Sequence, residues 1–505
     1  MPNKNIVLIM TDNQQASTLA CYGNPETYTP HTDQLSRQGV TFDNAFCPNA
    51  FCSPCRASVL TGLLPSQHGV HSWIDDRKSD QWPVGWHALN GLQTLPQLLK
   101  RAGYRTALVG KYHLGDPKTN MPGFDHWVTL EDGHVRSFYR NRIFDNGQSY
   151  LHEGNSVDFF TEKSQQFIDS QVGSDQPFFL FVPYPAPYGH WPATKEEDRC
   201  RHSERYDDCP MDSIPRQALS AAAVAGYDMR KANSGGGLDY SMLLRAPNDI
   251  ATLRNYYTQI SMVDDGVGAL MKTLDDHQLA DDTLFVFTAD HGLSVGQHGF
   301  WGHGCGTFPS NMHRAAHSVP LIIRDGKTAN AGVRRSAMVS NMDIFSTIVD
   351  IAQLETNTLI DASPSGIHAI PSRSLVALLD DSSVANWEDD IIFSEQEETR
   401  VCRTEKWAYF QRFSESNSYP IDDELFDIEL DREETTNLAD DPAFAEIKSL
   451  LKERMTTFFA QHVNAQADLW SGGAPIQNTE RLAFWQDVWG EQWSPVYSYD
   501  EKDAG

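Results

Sequence analysis

The sequence predicts an α/β protein built on a large, mostly parallel sheet, and three observations predict it. Short apolar runs lack the in-and-out alternation of a half-exposed strand, stretches of helical periodicity separate them, and each run leads into chemically active polar residues. The runs lie at residues 6–10, 106–109, 178–182 and 284–288. Beyond their C-terminal ends come Asp12 and Asn13, Lys111 and His113, His190 a little further on, and Asp290 and His291. Open α/β sheets place ligands outside the C-terminal ends of their strands, so four distant segments are expected to converge on one site.

Helices are expected between these strands. Residues 94–102 form one candidate, opened by Thr94 and closed by Gly103, and residues 251–274 carry apolar side chains at helical spacing. Between about residues 200 and 247 the chain is rich in Ala, Ser, Gly and charge, with weak periodicity, and reads as a surface insertion of the kind that carries specificity. After residue 390 the pattern changes to strand-like pieces at 391–393 and 407–410 and one amphipathic helix at 443–462. A chain of 505 residues exceeds one simple core. The expectation is a catalytic domain over 1–390 and a small α+β C-terminal domain over 391–505.

Forty Lys and Arg stand against sixty-eight Asp and Glu, a formal charge of −28. Such a field repels nucleic acid and anionic membrane surfaces, so neither is expected as a partner. It also opposes an anionic substrate, which then needs local cations at close range. No uncharged apolar run is long enough to span a bilayer. The start of the chain carries no basic, apolar leader, because residues 5–10 already read as a strand. The chain as given is therefore expected in the cytoplasm, or in the periplasm or outside the cell if a leader has been removed. Eight cysteines are scattered without the framework of a disulfide-stapled scaffold, although Cys200 and Cys209 are close enough in sequence to pair.

Cys52-Ser53-Pro54-Cys55-Arg56, continued by Ala57-Ser58-Val59-Leu60-Thr61-Gly62, is the sharpest local signal. Read alone, a Cys-x-x-Cys pair is a redox dithiol or half of a zinc site. A zinc site needs a second close Cys or His pair, and a thioredoxin-like site is a small βαβ unit of its own. Cys52-x-Pro54-x-Arg56 with its Thr61-Gly62 tail resembles instead the signature of the formylglycine-dependent sulfatases, in the alkaline-phosphatase-like superfamily. Other segments match that family in order: Thr11-Asp12-Asn13, Gly110-Lys111-Tyr112-His113-Leu114-Gly115, Pro187-Tyr188-Gly189-His190-Trp191-Pro192, Thr288-Ala289-Asp290-His291-Gly292 and Val319-Pro320-Leu321-Ile322-Ile323. Glu424-Leu425-Phe426-Asp427 with Asn437-Leu438-Ala439 is similar to the C-terminal sulfatase segment, so the resemblance spans most of the chain.

The resemblance implies an alkaline-phosphatase-like α/β/α sandwich and a metal-dependent sulfuric ester hydrolase. Cys52 would be oxidised by a separate formylglycine-generating maturation enzyme, and the hydrated aldehyde gives an oxygen nucleophile that a neighbouring metal acidifies. Asp12, Asn13, Asp290 and His291, with residue 52 itself, would hold the cation; a mainly oxygen set suits Ca²⁺, with Mg²⁺ as the other candidate. His291 stands where the family has Asn or His, and it either ligates or hydrogen-bonds beside the metal. Taken alone, Asp12 also reads as a helix N-cap. Arg56 would buttress the metal region, Lys111 would grip a sulfate oxygen, and His113 would take the proton of the second hydroxyl. His190 and His303 are both candidates for the acid that protonates the leaving alcohol. His303 is a departure, since the family commonly has Lys at that position.

A sulfated carbohydrate is the favoured substrate. Trp73, Arg77 and Trp191 could line a pocket for a polar ring, although aromatic residues more often simply pack. His68 and His71 are ambiguous, and His298, His313 and His317 read as ordinary loop residues. The rival functions are a phosphonate monoester or phosphodiester hydrolase of the same superfamily, an aryl or choline sulfatase, and a non-catalytic binder of sulfated glycans.

Overall fold

Strands form where the apolar runs lie, and they extend beyond them. The computed structural model describes residues 4–74, 79, 82–189, 199–233, 240–326, 330–354, 367–380, 387, 391–475 and 479–495. Ten strands make the main sheet: β1 (Asn5–Asp12), β2 (Val40–Phe46), β3 (Arg105–Gly110), β4 (His126–Leu130), β5 (Asn141–Asp145), β6 (Gln148–His152), β7 (Phe178–Pro187), β8 (Thr283–Ala289), β11 (Leu321–Asp325) and β12 (Val333–Ser340). The short pair β9 (Ser294–Val295) and β10 (Trp301–Gly302) forms a separate ribbon. Spatial order in the main sheet is β12-β2-β11-β8-β1-β7-β3-β4-β5-β6. The four strands anticipated from sequence are thus consecutive neighbours, β8-β1-β7-β3, and they pair in parallel. Antiparallel strands flank this parallel centre on both sides.

Burial on both faces explains the missing alternation. Along β1, Ile6, Leu8 and Met10 enter one core while Val7 and Ile9 enter the other. The first core also takes Val59 and Leu60 from the Cys52–Thr61 helix and Leu95, Leu98 and Leu99 from the Leu95–Arg101 helix. The second takes Val157 and Phe160 from the Ser156–Asp169 helix, and Leu253, Tyr256 and Ile260 from the Ile250–Asp276 helix. Helices on both faces of the sheet make the α/β/α sandwich.

A second, antiparallel sheet comprises β13 (Ile391–Gln396), β14 (Thr399–Thr404), β15 (Trp407–Arg412) and β16 (Glu424–Asp427), in that order. The Ala445–His462 helix packs on it through Leu451, Met455 and Phe459. The segment read as a surface insertion is more structured than its composition suggests. It contains helices at Ser203–Tyr206 and Ala221–Asn233. Tyr206, buried, bonds Ser261 of the long helix through its hydroxyl at 2.7 Å. Cys200 and Cys209 do not pair: both are free thiols, Cys209 pointing at Glu26 (3.5 Å). Among the described residues, no helix is long and apolar enough to cross a membrane.

Candidate active site

Asp12 and Asn13 leave the end of β1, and Asp290 and His291 leave the end of its neighbour β8. Backbone bonds lock the two ends together: Asp290 N–H donates to Thr11 O at 2.9 Å and Gln14 N–H to His291 O at 3.0 Å. Cys52 is the first residue of its helix, whose ten residues are all buried. Lys111 and His113 follow β3. Asn13 and His113 adopt left-handed backbone (φ 58° and 54°), a costly conformation for non-glycine residues, and the packed surroundings hold it there.

Cys52 Sγ is the centre of the cluster. It lies 3.6 Å from Asp12 Oδ1, 3.9 Å from Asn13 Oδ1, 3.4 Å from His291 Nε2 and 3.6 Å from Lys111 Nζ. Each acid divides its two oxygens. Asp12 Oδ2 accepts from Arg56 (3.1 Å) and Lys111 (2.5 Å), which leaves Oδ1 turned to Cys52. Asp290 Oδ2 accepts from Arg56 at 2.9 Å, while Oδ1 accepts from the backbone N–H groups of Asn13 and His291. His291 Nδ1–H donates to Gly292 O at 2.8 Å, so the lone pair of Nε2 faces inward.

These charges are all buried. Burial alone would raise the Asp290 carboxyl, but the positive charge around it, Arg56 and Lys111 included, outweighs burial and holds it below the usual carboxylate value. Burial likewise works against the Lys111 ammonium, and Asp12 wins, so Lys111 stays charged. Cys52 goes the other way. Burial, then Asp12, push its thiol well above the ordinary value against the pull of Lys111 and Arg56. Surroundings that disfavour a thiolate do not suit thiol nucleophilic chemistry at this cysteine.

A divalent cation fits the cluster. One donor atom from each of Asp12, Cys52, Asp290 and His291 lies within 4.8 Å of the others. Ligands on opposite sides of a Ca²⁺-sized ion at 2.3–2.6 Å would stand about 5 Å apart. Asn13 adds a further carbonyl oxygen, and its buried Nδ2 has no partner among the described residues.

The histidines divide. His303 is buried with its ring 4.6 Å from that of His291, and Phe51 packs against its edge. His113 is fixed by Ile74 O, 3.0 Å from Nε2. His190, Trp191 and Arg77 lie outside the described residues. His68 and His71 are structural, bonded to Ser58 and to Ala467 O. His298 stacks on His313 at 3.9 Å, and His317 is bonded to Cys47 O at 3.3 Å.

Sequence reasoning missed the supports of this cluster. Asn341, after β12, donates to the carbonyls of Ala289 and Asp290, and the Tyr256 hydroxyl to Asn13 O. Gln396, at the end of β13, is wedged between the Cys52 and His303 loops. Its Oε1 accepts from Ala50 N–H at 3.3 Å, and a Cβ on Gly304 would lie 2.1 Å from the same oxygen.

The family model of the sulfatases matches residues 4–354, which contain every residue placed at the cluster. The chain belongs to the sulfatase family. It is a sulfuric ester hydrolase, and the family implies formylglycine and a divalent metal. A second model, the C-terminal part of N-sulphoglucosamine sulphohydrolase, matches residues 297–461. The human N-sulphoglucosamine sulphohydrolase is 26% identical over 500 residues, 90% of this chain and 89% of its own. An N-acetylglucosamine-6-O-sulfatase of Bacteroides thetaiotaomicron is 26% identical over 406 residues, 70% of this sulfatase and 68% of its own chain. In fold, the sulfatase resembles a solved structure described as a complex with its substrate D-glucosamine-2-N,6-O-disulfate. The TM-score is 0.71 at 23% identity, covering 91% of this chain and 98% of that one.

Proposed function

We propose that this sulfatase removes sulfate from a sulfated carbohydrate, with Cys52 converted to formylglycine beside a bound Ca²⁺. The observation that carries the reading is the convergence of Asp12 Oδ1, Asn13 Oδ1 and His291 Nε2 on Cys52 Sγ, within 3.4–3.9 Å, next to a charged Lys111. The relatives named for glucosamine sulfates support the carbohydrate. Three oxygen-bearing side chains and one imidazole support Ca²⁺, because hard cations prefer oxygen. Formylglycine at residue 52 would supply an oxygen nucleophile once hydrated, and a cation held by Asp12, Asn13, Asp290 and His291 would supply the charge that acidifies it.

The chain's own groups do the rest. Arg56 spans Asp12 and Asp290, 2.9–3.1 Å away, and sets its positive charge between two buried carboxylates. Lys111, 3.6 Å from the nucleophile position, binds a sulfate oxygen and offsets the charge that gathers there in the transition state. His303 stands beside His291 and donates the proton to the departing sugar oxygen, with His190 as the alternative donor. His113, its ring fixed by Ile74 O, accepts the proton of the second hydroxyl as sulfate leaves.

The test is sulfate release from sulfated monosaccharides and from an aryl sulfate, with an aryl phosphonate in parallel, by protein whose residue 52 has been read by peptide mass spectrometry. Turnover is expected to track the aldehyde fraction and to fall by three or more orders of magnitude in Cys52→Ala, with little change in Tm. Full activity from homogeneous unmodified Cys52 would sink the mechanism, and faster phosphonate cleavage would change the substrate class.

A further inference from the structure

Beyond the catalytic cluster, a chain of polar and aromatic side chains runs from one site histidine to the other. The His113 ring packs on His134 (centroids 4.5 Å apart), and His134 packs edge-on to Trp73 (5.0 Å). Trp73 Nε1–H donates to Glu480 Oε1 at 2.6 Å. Arg230 lies 3.3 Å from Glu480 Oε2 and also donates to the Cys305 sulfur. Cys305 Sγ, finally, is 3.9 Å from His303 Nδ1. Glu480 is therefore two side chains removed from His113 and, through the Cys305 thiol that bonds it, one removed from His303, on segments far apart in sequence.

We propose that Glu480 recognises the sugar that carries the sulfate ester, by accepting a hydrogen bond from one of its hydroxyls. The inference rests on the carbohydrate reading above and assigns it a residue. Its side chain is about a quarter exposed (25%), whereas Cys52, His113 and His303 are nearly inaccessible, so a ligand can reach it from solvent. A carboxylate has about four acceptor positions. Among the described residues, Trp73 N–H, Arg230 and the Cys305 thiol occupy three, which leaves one for a ligand. Burial would raise this carboxyl, but Arg230 and Arg481 outweigh it and keep it ionised, and ionised acceptors make the stronger hydrogen bonds. Arg230 comes from the Ala221–Asn233 helix, which gives the segment read as an insertion a part in substrate choice.

The experiment compares kcat/KM on a monosulfated sugar and on 4-nitrophenyl sulfate, which has no hydroxyl to recognise, for wild type, Glu480→Gln and Trp73→Phe. Glu480→Gln is expected to lower the sugar-to-aryl ratio of kcat/KM at least tenfold, mainly through KM. Trp73→Phe keeps an aromatic ring, though a smaller one, removes the N–H that aims the carboxylate, and is expected to lower the ratio several-fold. Equal losses on both substrates, or none, would overturn the proposal, the first result making Glu480 a support of the fold or of the His303 loop. If Glu480→Gln does not fold, the Trp73→Phe ratio decides alone. Wild-type enzyme that turns over the aryl sulfate but no sulfated sugar refutes the carbohydrate reading itself, a result distinct from an unchanged ratio in the variants.

Discussion

Two regions of this sulfatase bury several charges at once, and they differ in what is left over. Around Cys52, Asp12 and Asp290 meet Arg56 and Lys111, and Asp12 Oδ1, Asn13 Oδ1 and His291 Nε2 still point at the sulfur. At the turn between β13 and β14, acids and arginines consume each other. Glu398 bonds Arg481 (3.2 Å) and Ser310 N–H (2.6 Å), while Arg400 bonds Asp468 (2.6 Å) and Glu395 receives Ser66 N–H (2.6 Å). Glu397 is buried 3.9 Å from Arg481, and burial pushes its carboxyl well above the ordinary carboxylate value despite that cation. Buried charge is common to both regions, so it does not by itself mark chemistry. Unused donor atoms converging on one point do.

The largest separation of the two regions should come from Asp290→Asn. It removes one anionic donor from the cluster while keeping shape, and turnover should fall by a factor of a hundred or more together with metal content. Stability should fall as well, because a bound ion stabilises only the folded state. Metal analysis by mass spectrometry and Tm with and without chelator are the measurements. Active protein free of divalent metal would remove the distinction drawn here. At the other region, Arg481→Met leaves Glu398 buried without its cation, which costs about 3–5 kcal/mol. The readout is urea unfolding, and kcat per folded molecule should change far less than stability. A loss of kcat without loss of stability would move this region into the catalytic machinery.

Much of the inner region was legible from sequence. Apolar runs buried on both faces announce the four central strands, and the polar residues at their ends are the ones that meet. The outer region was not. Strands such as β6, half exposed and built from Gln148 to His152, have no apolar run to show. Gln396 and Glu480 belong to no motif, because their partners Ala50, Trp73 and Arg230 lie hundreds of residues away. One signal was available: Glu395-Gln396-Glu397-Glu398 is a polar run that interrupts two strands and is nonetheless buried. Gly304 was another, since its missing side chain makes room for the Gln396 amide.

A smaller effect concerns acid. Burial, with Arg403 adding to it, pushes His317 from its ordinary 6.5 down to about 3. Below pH 6.5 the unfolded chain binds a proton at this imidazole and the folded chain does not. Stability present above pH 6.5 therefore declines as pH falls and is lost in full near pH 3, by about 2 kcal/mol at pH 5. His317→Gln should flatten the decline in Tm between pH 7 and 5, and equal slopes in the two proteins would place the acid sensitivity elsewhere.

The subtlest test bears on His303, which joins the two regions: its ring contacts His291, and the next residue, Gly304, rests on Gln396. If His303 donates a proton to the leaving oxygen, kcat/KM should fall on the alkaline side as the imidazole loses that proton. His303→Lys keeps its charge to higher pH and should shift this limb upward while costing only a few-fold in rate at the optimum. His303→Ala should harm sugar sulfates, whose alkoxide is a poor leaving group, more than an aryl sulfate, whose phenolate leaves with little help. Equal losses on both substrates with an unmoved pH profile would assign His303 to packing against Phe51 and pass the acid role to His190. The leaving-group comparison separates this role from that of Glu480, because proton donation acts on kcat and hydroxyl recognition acts on KM.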